Sequence, residues 1–89
     1  MFKLSFRTQF KRELKLQLKR GKDLKKFTEV AEKLAEGCSL DPKYKNHKLV
    51  GNFKDRWECH LEPDWLLIYF ECGDEIIFER TGSHSDLFG

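Results

Sequence analysis

Apolar and polar side chains alternate over residues 2–6 (FKLSF), a period of two that predicts a half-buried strand. From Thr8 the period lengthens to that of a helix, with Thr8 as its expected cap and Gly21 marking its end. The apolar positions of this helix recur at every fourth residue, at Phe10, Leu14 and Leu18.

A second helix is predicted to follow at once. Asp23 is its expected N-cap and Gly37 its end. Its apolar face comprises Leu24, Phe27, Val30, Ala31 and Leu34. The next segment, residues 39–48 (SLDPKYKNHK), keeps neither period and contains Pro42, so we expect a loop there.

The second half of the chain is typical of antiparallel strands. Apolar and polar residues alternate over 53–61, with Phe53, Trp57, Cys59 and Leu61 on one side of the predicted strand and Asp55 as the exception there. The opposite parity holds Lys54, Arg56, Glu58 and His60, so His60 should point away from the core. After a turn at residues 62–64 (EPD), the strands WLLIYF and EIIFER flank a Gly–Asp turn and predict a hairpin.

These elements follow the order β-α-α-β-β-β, which predicts one α+β domain over residues 1–89. We expect the two N-terminal helices to pack on one face of a small antiparallel sheet and to leave the opposite face free. The longest apolar run, residues 65–70, is far shorter than the roughly 20 residues that cross a bilayer. Because the N-terminus also lacks a signal-peptide pattern, we expect a cytoplasmic protein with no membrane partner.

Charge is distributed unevenly along the chain. Residues 1–26 contain ten lysines and arginines against two acidic residues, whereas the rest of the chain is acidic. A basic end of this density is typical of a protein that binds a polyanion, although a merely solvated helix face gives the same pattern. The basic stripe beside the apolar face of the first helix consists of Lys11, Lys15, Lys19 and Lys22.

Four groups capable of proton transfer lie in loops or at strand ends. They are His47, His60, Asp64 and His84. The sequence holds no nucleophile-elbow serine, no glycine-rich phosphate loop and no typical metal-ligand spacing, and its three cysteines form no C-x-x-C pair. No cofactor is therefore expected, and a zinc site drawn from Cys59, His60 and Cys72 would match no known spacing.

Groups that titrate near neutrality in a basic setting suit metal-free cleavage of RNA. In that reaction the 2′-hydroxyl is the nucleophile, so the protein supplies a base, an acid and cations for the charged phosphorane. Histidine can take either proton-transfer role because its ordinary pKa of about 6.5 leaves both forms populated near pH 7. Deoxyribose lacks the nucleophile, so DNA should not be cut.

Two stretches carry a resemblance to a known family. YKNHKLVGNFKDRWECHLEPDWLLIY and FERTGSHSDLFG resemble the YafQ branch of the RelE/ParE toxin superfamily, whose pattern runs Y-K-D-H-x-L-x-G, H-x-x-P-D-W-x-L-I-Y and R-x-G-(S/T)-H-x-x-L-F. The match is dense over residues 44–89. The resemblance implies a RelE-like fold and a ribosome-dependent endoribonuclease that cuts messenger RNA. It also implies silencing by a co-expressed antitoxin, for which we expect a ribbon-helix-helix DNA-binding domain.

The resemblance also implies roles for individual residues. The family histidines and aspartate fall on His47, His60, Asp64 and His84, with Asn46 replacing the aspartate before the first histidine. We expect His84 and His60 to be the main proton-transfer pair, Asp64 to orient an imidazole or share the base role, and His47 to help with charge. The expected substrate-binding residues are Arg80, Trp65 and Phe88, together with the lysine stripe against ribosomal RNA.

Several alternatives stay open at this point. Arg80 shares the parity of Ile76 and Phe78, so a buried structural role competes with phosphorane stabilisation. Trp65 opens a strand and fits a core position as well as an RNA contact. For the whole chain, the alternatives are a non-catalytic ParE-like poison of gyrase and a plain RNA-binding module. Leu87 and Phe88 are expected to hold the tail, and with it His84, at the end of the sheet.

Overall fold

The computed structural model describes residues 1–51 and 55–89, and places five strands and three α-helices within them. The strands are β1 (Lys3–Phe6), β2 (His47–Lys48), β3 (Trp57–Glu62), β4 (Trp65–Cys72) and β5 (Glu75–Gly82). The helices are α1 (Thr8–Lys19), α2 (Leu24–Ala35) and α3 (His84–Phe88), and a 3₁₀ turn covers Pro42–Tyr44. No described helix is long and apolar enough to cross a membrane.

All five described strands belong to one sheet with the order β1-β5-β4-β3-β2. The predicted hairpin of β4 and β5 is confirmed, and β3 pairs antiparallel with β4 as expected. The sheet is nevertheless mixed, because β1 runs parallel to β5 at one edge. The first strand in the chain therefore pairs with the last one, and the end of α2 returns to β1, where the Ala35 carbonyl accepts a hydrogen bond from the Phe2 backbone N–H at 2.7 Å. The α+β fold class is confirmed, and the expectation of a purely antiparallel sheet is corrected.

Both long helices pack on one face of the sheet, as predicted. Phe10 from α1 and Phe27 from α2 meet Phe78 of β5 with ring centroids 5.6 and 5.2 Å apart. Around them lie the other buried residues of this face: Val30, Ala31, Leu34, Cys59, Leu61, Trp65, Leu67, Tyr69 and Ile76. Burying these side chains is the main source of stability in a domain of this size.

The observed helix ends match the ends predicted from the sequence, with one exception. Asp23 caps α2, since its side chain accepts a hydrogen bond from the backbone of Lys25 at 3.0 Å. Gly37 follows α2 with φ +74°, a conformation that favours glycine. Thr8 is the first residue of α1 rather than its cap; Arg7 takes the cap position without a side-chain hydrogen bond.

The opposite face of the sheet is partly covered, contrary to expectation. Leu66 and Ile68 of β4 form a second apolar cluster with Leu87 of α3. The C-terminal residues therefore fold back as a short helix on this face, which we call the outer face of the sheet. Leu87 anchors the tail, as the sequence predicted.

Two boundaries differ from the predicted ones. Within the predicted loop, His47–Lys48 form β2 because they pair with Glu58 and Trp57 of β3. The third strand begins at Trp57, whereas the predicted strand begins at Phe53, which lies with Asn52 and Lys54 outside the described residues.

Candidate active site

The three histidines form a row on the outer face of the sheet. The His60 ring lies in the middle, with its centroid 6.5 Å from that of His47 and 5.7 Å from that of His84. The structure therefore brings together residues that are up to 37 positions apart in the chain. We call this group, with Asp64 and Glu58, the histidine cluster.

Strand register explains this convergence. His47 of β2 lies directly opposite Glu58 of β3, and His60 shares the parity of Glu58, so all three side chains project from the same face. Asp64 lies in the turn between β3 and β4. His84 is the first residue of α3, which follows the end of β5. Gly82 of β5 pairs with Leu66 of β4, and Leu66 also pairs with His60 of β3.

Asp64 holds His84 by two hydrogen bonds to a single oxygen. Its Oδ1 accepts from the His84 backbone N–H at 2.9 Å and lies 2.6 Å from His84 Nδ1. Both hydrogen bonds lower the pKa of the Asp64 carboxyl from its ordinary value, and the bond from the backbone N–H has the larger effect. An ionised carboxylate only accepts, so Nδ1 carries the proton and Nε2 of His84 is left for chemistry.

Glu58 joins the other two histidines and was not among the predicted site residues. Its Oε1 lies 3.4 Å from Nε2 of both His47 and His60, so it forms an ion pair with either ring when that ring is protonated. Only 6% of Glu58 is exposed, and a carboxylate is buried in this way only with partners. The signal was present in the sequence, since Glu58 lies two residues before His60 on the polar parity.

The segment that carries His47 is fixed from both sides. His47 Nδ1 lies 2.7 Å from the backbone carbonyl of Lys45, a residue with φ +49°, so Nδ1 donates and Nε2 faces Glu58. Asn46, which departs from the family pattern, accepts a hydrogen bond from the Tyr69 hydroxyl at 2.9 Å. Burial raises the pKa of Tyr69, which keeps this hydroxyl a donor.

Arg80 is engaged within the protein. Its Nη2 lies 2.8 Å from Oε2 of Glu13, and its Nε donates to the same carboxylate at 2.9 and 3.0 Å. Glu13 also accepts from the backbone N–H of Thr81, so it fastens α1 to the end of β5. This geometry matches the structural role left open by the sequence. Stabilisation of a phosphorane by Arg80 stays a prediction; the contacts to Glu13 use Nε and Nη2 of the guanidinium.

Trp65 is a core residue, and its predicted RNA contact is corrected. The side chain has no exposed surface, and its indole Nε1 donates to Thr81 Oγ1 at 2.9 Å. A strand that opens with tryptophan on the helix-covered face buries the ring beneath α1 and α2. Phe88, in contrast, is 48% exposed at the end of α3, where a substrate can reach it.

The basic stripe is shorter than predicted. Lys11, Lys15 and Lys19 are exposed along α1. Lys22 lies beyond the end of the helix, and its ammonium pairs with Glu62 at 2.9 Å. Lys26 pairs with the other oxygen of the same carboxylate, so Lys22 acts as a link between the helices and the turn that carries Asp64.

A cavity of about 450 Å³ opens beside His60. Its wall includes the Tyr44 ring and three lysines that the sequence did not single out: Lys26, Lys43 and Lys45. Glu29 and Glu62 also line it, and Glu62 pairs with Lys26, so Lys43 and Lys45 are the lysines of the wall that can meet the phosphates of a nucleotide chain. Among the described residues, no three His, Cys, Asp or Glu side chains are grouped so as to hold a metal ion.

Solved structures with this fold include toxins from two bacteria. A copper-bound mutant toxin from Helicobacter pylori is 39% identical, with a TM-score of 0.95 and coverage of 99% of this chain and 100% of that one. A DinJ–YafQ complex from Escherichia coli contains a chain that is 37% identical, with a TM-score of 0.92 and full coverage of both.

Sequence comparisons agree with the structural ones. The mRNA interferase toxin YafQ of Escherichia coli strain K12 is 38% identical over 87 residues, which cover 97% of this chain and 95% of the relative. The profile of the bacterial toxin YafQ, of type II toxin–antitoxin systems, matches residues 2–89. With its histidine cluster on the outer face of a RelE-like sheet, this chain belongs to the YafQ family of type II toxins.

Proposed function

We propose that this YafQ-family toxin is an endoribonuclease, an mRNA interferase, which cuts messenger RNA on the ribosome and thereby stops translation. One observation carries the proposal: the His60 ring centroid lies 6.5 and 5.7 Å from those of His47 and His84, and Asp64 Oδ1 lies 2.6 Å from His84 Nδ1. The curated relative in Escherichia coli is named for the same activity.

The reaction is a transesterification that needs no nucleophile from the protein. A base removes the proton of the 2′-hydroxyl, the 2′-oxygen bonds to phosphorus, and the bond from phosphorus to the 5′-oxygen breaks. An acid then gives a proton to the departing 5′-oxygen, so the products are a 2′,3′-cyclic phosphate and a 5′-hydroxyl. Each proton transfer contributes about 10² to 10⁴ in rate.

The geometry supports a division of roles. His84 and His60 are the proton-transfer pair, since their rings are neighbours and Nε2 of His84 is left available by its bond to Asp64. Asp64 orients His84 rather than acting as a base, because its pKa is lowered by the bonds it accepts. His47 supplies positive charge at the far end of the row and is tied to His60 by Glu58.

Binding to the ribosome is assigned to the cationic surfaces. Lys11, Lys15 and Lys19 on α1 meet ribosomal RNA through phosphates, which gives affinity without base specificity. The lysine-lined cavity beside His60 holds the messenger near the cluster. A toxin that acts on translating ribosomes works in the cytoplasm.

A cognate antitoxin is the second partner. The Escherichia coli relative has been solved as a DinJ–YafQ toxin–antitoxin complex with the same fold. We expect the antitoxin of this chain to be a short acidic protein with a ribbon-helix-helix domain that covers the basic surface. Co-expression with the product of the neighbouring reading frame should restore growth and yield a complex that survives purification.

Primer extension on a translated message tests the nuclease directly. The toxin should produce new 5′ ends in the coding region only when ribosomes translate it. A message with a single 2′-deoxy nucleotide on the 5′ side of the cut should resist cleavage there, because the nucleophile is missing. Equal cutting of free RNA would overturn the ribosome requirement, and cutting at the deoxy position would overturn the chemistry.

A further inference from the structure

Helix α3 is fastened to α1 through one carboxylate. Oδ2 of Asp86 lies 2.7 Å from Arg20 Nη1, and Oδ1 lies 3.4 Å from Nη2, which makes a two-pronged ion pair. Gln17, which is 2% exposed, donates from Nε2 to Asp86 at 3.4 Å. A hydrogen bond from Arg20 is the main cause of the lowered pKa of Asp86, so the carboxylate is ionised at neutral pH.

The same carboxylate organises the start of α3. Asp86 accepts a hydrogen bond from the Ser83 backbone at 2.9 Å, and Ser83 Oγ accepts from the Asp86 backbone at 3.0 Å, so the two residues form a capping box around His84. A side chain at Gly82 would place its Cβ 2.8 Å from Asp86 Cβ, which glycine avoids. Gly82 therefore permits the close approach of β5 to Asp86.

We propose that Arg20 and Asp86 are positioning residues for RNA cleavage. Their ion pair orients α3 so that the His84 imidazole lies against Asp64 and beside His60. A helix of five residues has too few internal hydrogen bonds to hold itself, and Leu87 is its single buried residue. The apolar contact of Leu87 fixes distance but not rotation, whereas a charged pair to a neighbouring helix fixes both.

The inference rests on the proposed role of His84, and a set of variants separates the two. Arg20→Ala and Asp86→Asn each remove the pair, and the asparagine side chain in the second variant would keep an oxygen for the Ser83 N–H. Arg12→Ala is the matched control, since Arg12 is an exposed arginine of α1, and Arg20 is the C-cap residue of the same helix. The assay is the single-turnover rate of message cleavage on programmed ribosomes at saturating toxin, with the ribosome dissociation constant and Tm measured alongside.

We expect Arg20→Ala and Asp86→Asn to slow cleavage about 10-fold or more relative to Arg12→Ala, because small displacements of a reacting group have effects of this size. The double variant should be no slower than the slower single one, and Arg20→Lys should recover part of the rate. Binding to ribosomes should match the control. In the free protein, the NMR signal of the His84 Nδ1 proton should weaken in the two variants and persist in Arg12→Ala.

Two results would overturn the positioning role. One is cleavage by Arg20→Ala and Asp86→Asn at the rate of the control, while His84→Ala abolishes cutting; the proposed function would then survive. The other is a loss of rate that equals the loss of folded protein at the assay temperature. Full activity of His84→Ala would instead overturn the proposed function, and the positioning role with it.

Discussion

Replacing Trp65 by phenylalanine separates a core role from an RNA contact. The ring has no exposed surface, so the change removes several buried atoms and the hydrogen bond from Nε1 to Thr81 at 2.9 Å. Thr81 keeps its bond to the Leu66 carbonyl at 2.7 Å. Losing one buried hydrogen bond costs about 1 kcal/mol, and the small cavity adds roughly as much. The expected destabilisation is therefore about 2 kcal/mol.

Thermal unfolding measures this directly, since about 2 kcal/mol lowers the Tm of a domain of this size by roughly 8 to 16 °C. Trp57→Phe is the matched control, because Trp57 is only partly buried and should lose less. At a temperature where the Trp65→Phe protein is still folded, its cleavage rate on ribosomes should equal that of the wild type. An unchanged Tm combined with a large loss of cleavage would refute the core assignment and restore the RNA contact.

Three further outcomes follow from the geometry. Burial raises the pKa of Cys59 to about 12, so iodoacetamide at about pH 8 should label it only after unfolding, whereas exposed Cys38 and Cys72 react at once. The pKa of Asp86 is lowered chiefly by its arginine partner, so the contribution of ionised Asp86 to the free energy of unfolding is complete above about pH 5 and decreases on acidification. The Tm difference between wild type and Asp86→Asn should therefore shrink towards about pH 2. Glu58→Gln should slow cleavage about 10-fold or more with ribosome binding unchanged, because it removes the charge shared by two imidazoles.

Local patterns predicted most of the elements. The alternation in β3, the apolar run of β4 and the Gly–Asp turn before β5 depend on neighbouring residues, and so does the cap of α2 at Asp23. The parallel pairing of β1 with β5 joins residues more than 70 positions apart, and no local signal reports it. Helix α3 has a capping box in its sequence, Ser83 to Asp86, but five residues are too few for a periodic pattern.

The candidate site was predictable in its residue types and less so in its contacts. The strand parity of His60 placed it correctly on the outer face, opposite the core. For Arg80 the structural role that parity suggested is the observed one, although the register shift between Ile68 and Tyr69 pairs Arg80 with Ile68 and interrupts the alternation beyond Phe78. The partner of Arg80, Glu13, lies in another element 67 positions away, so only the folded chain reveals that pair.

The most direct test of the acid–base cluster is cleavage by the double variant His60→Ala, His84→Ala on translating ribosomes. We predict that the protein folds, binds ribosomes with the affinity of the wild type and leaves the message intact, so that growth arrest disappears. New 5′ ends on the message in the presence of this variant, or growth arrest that persists without any cut, would contradict the account.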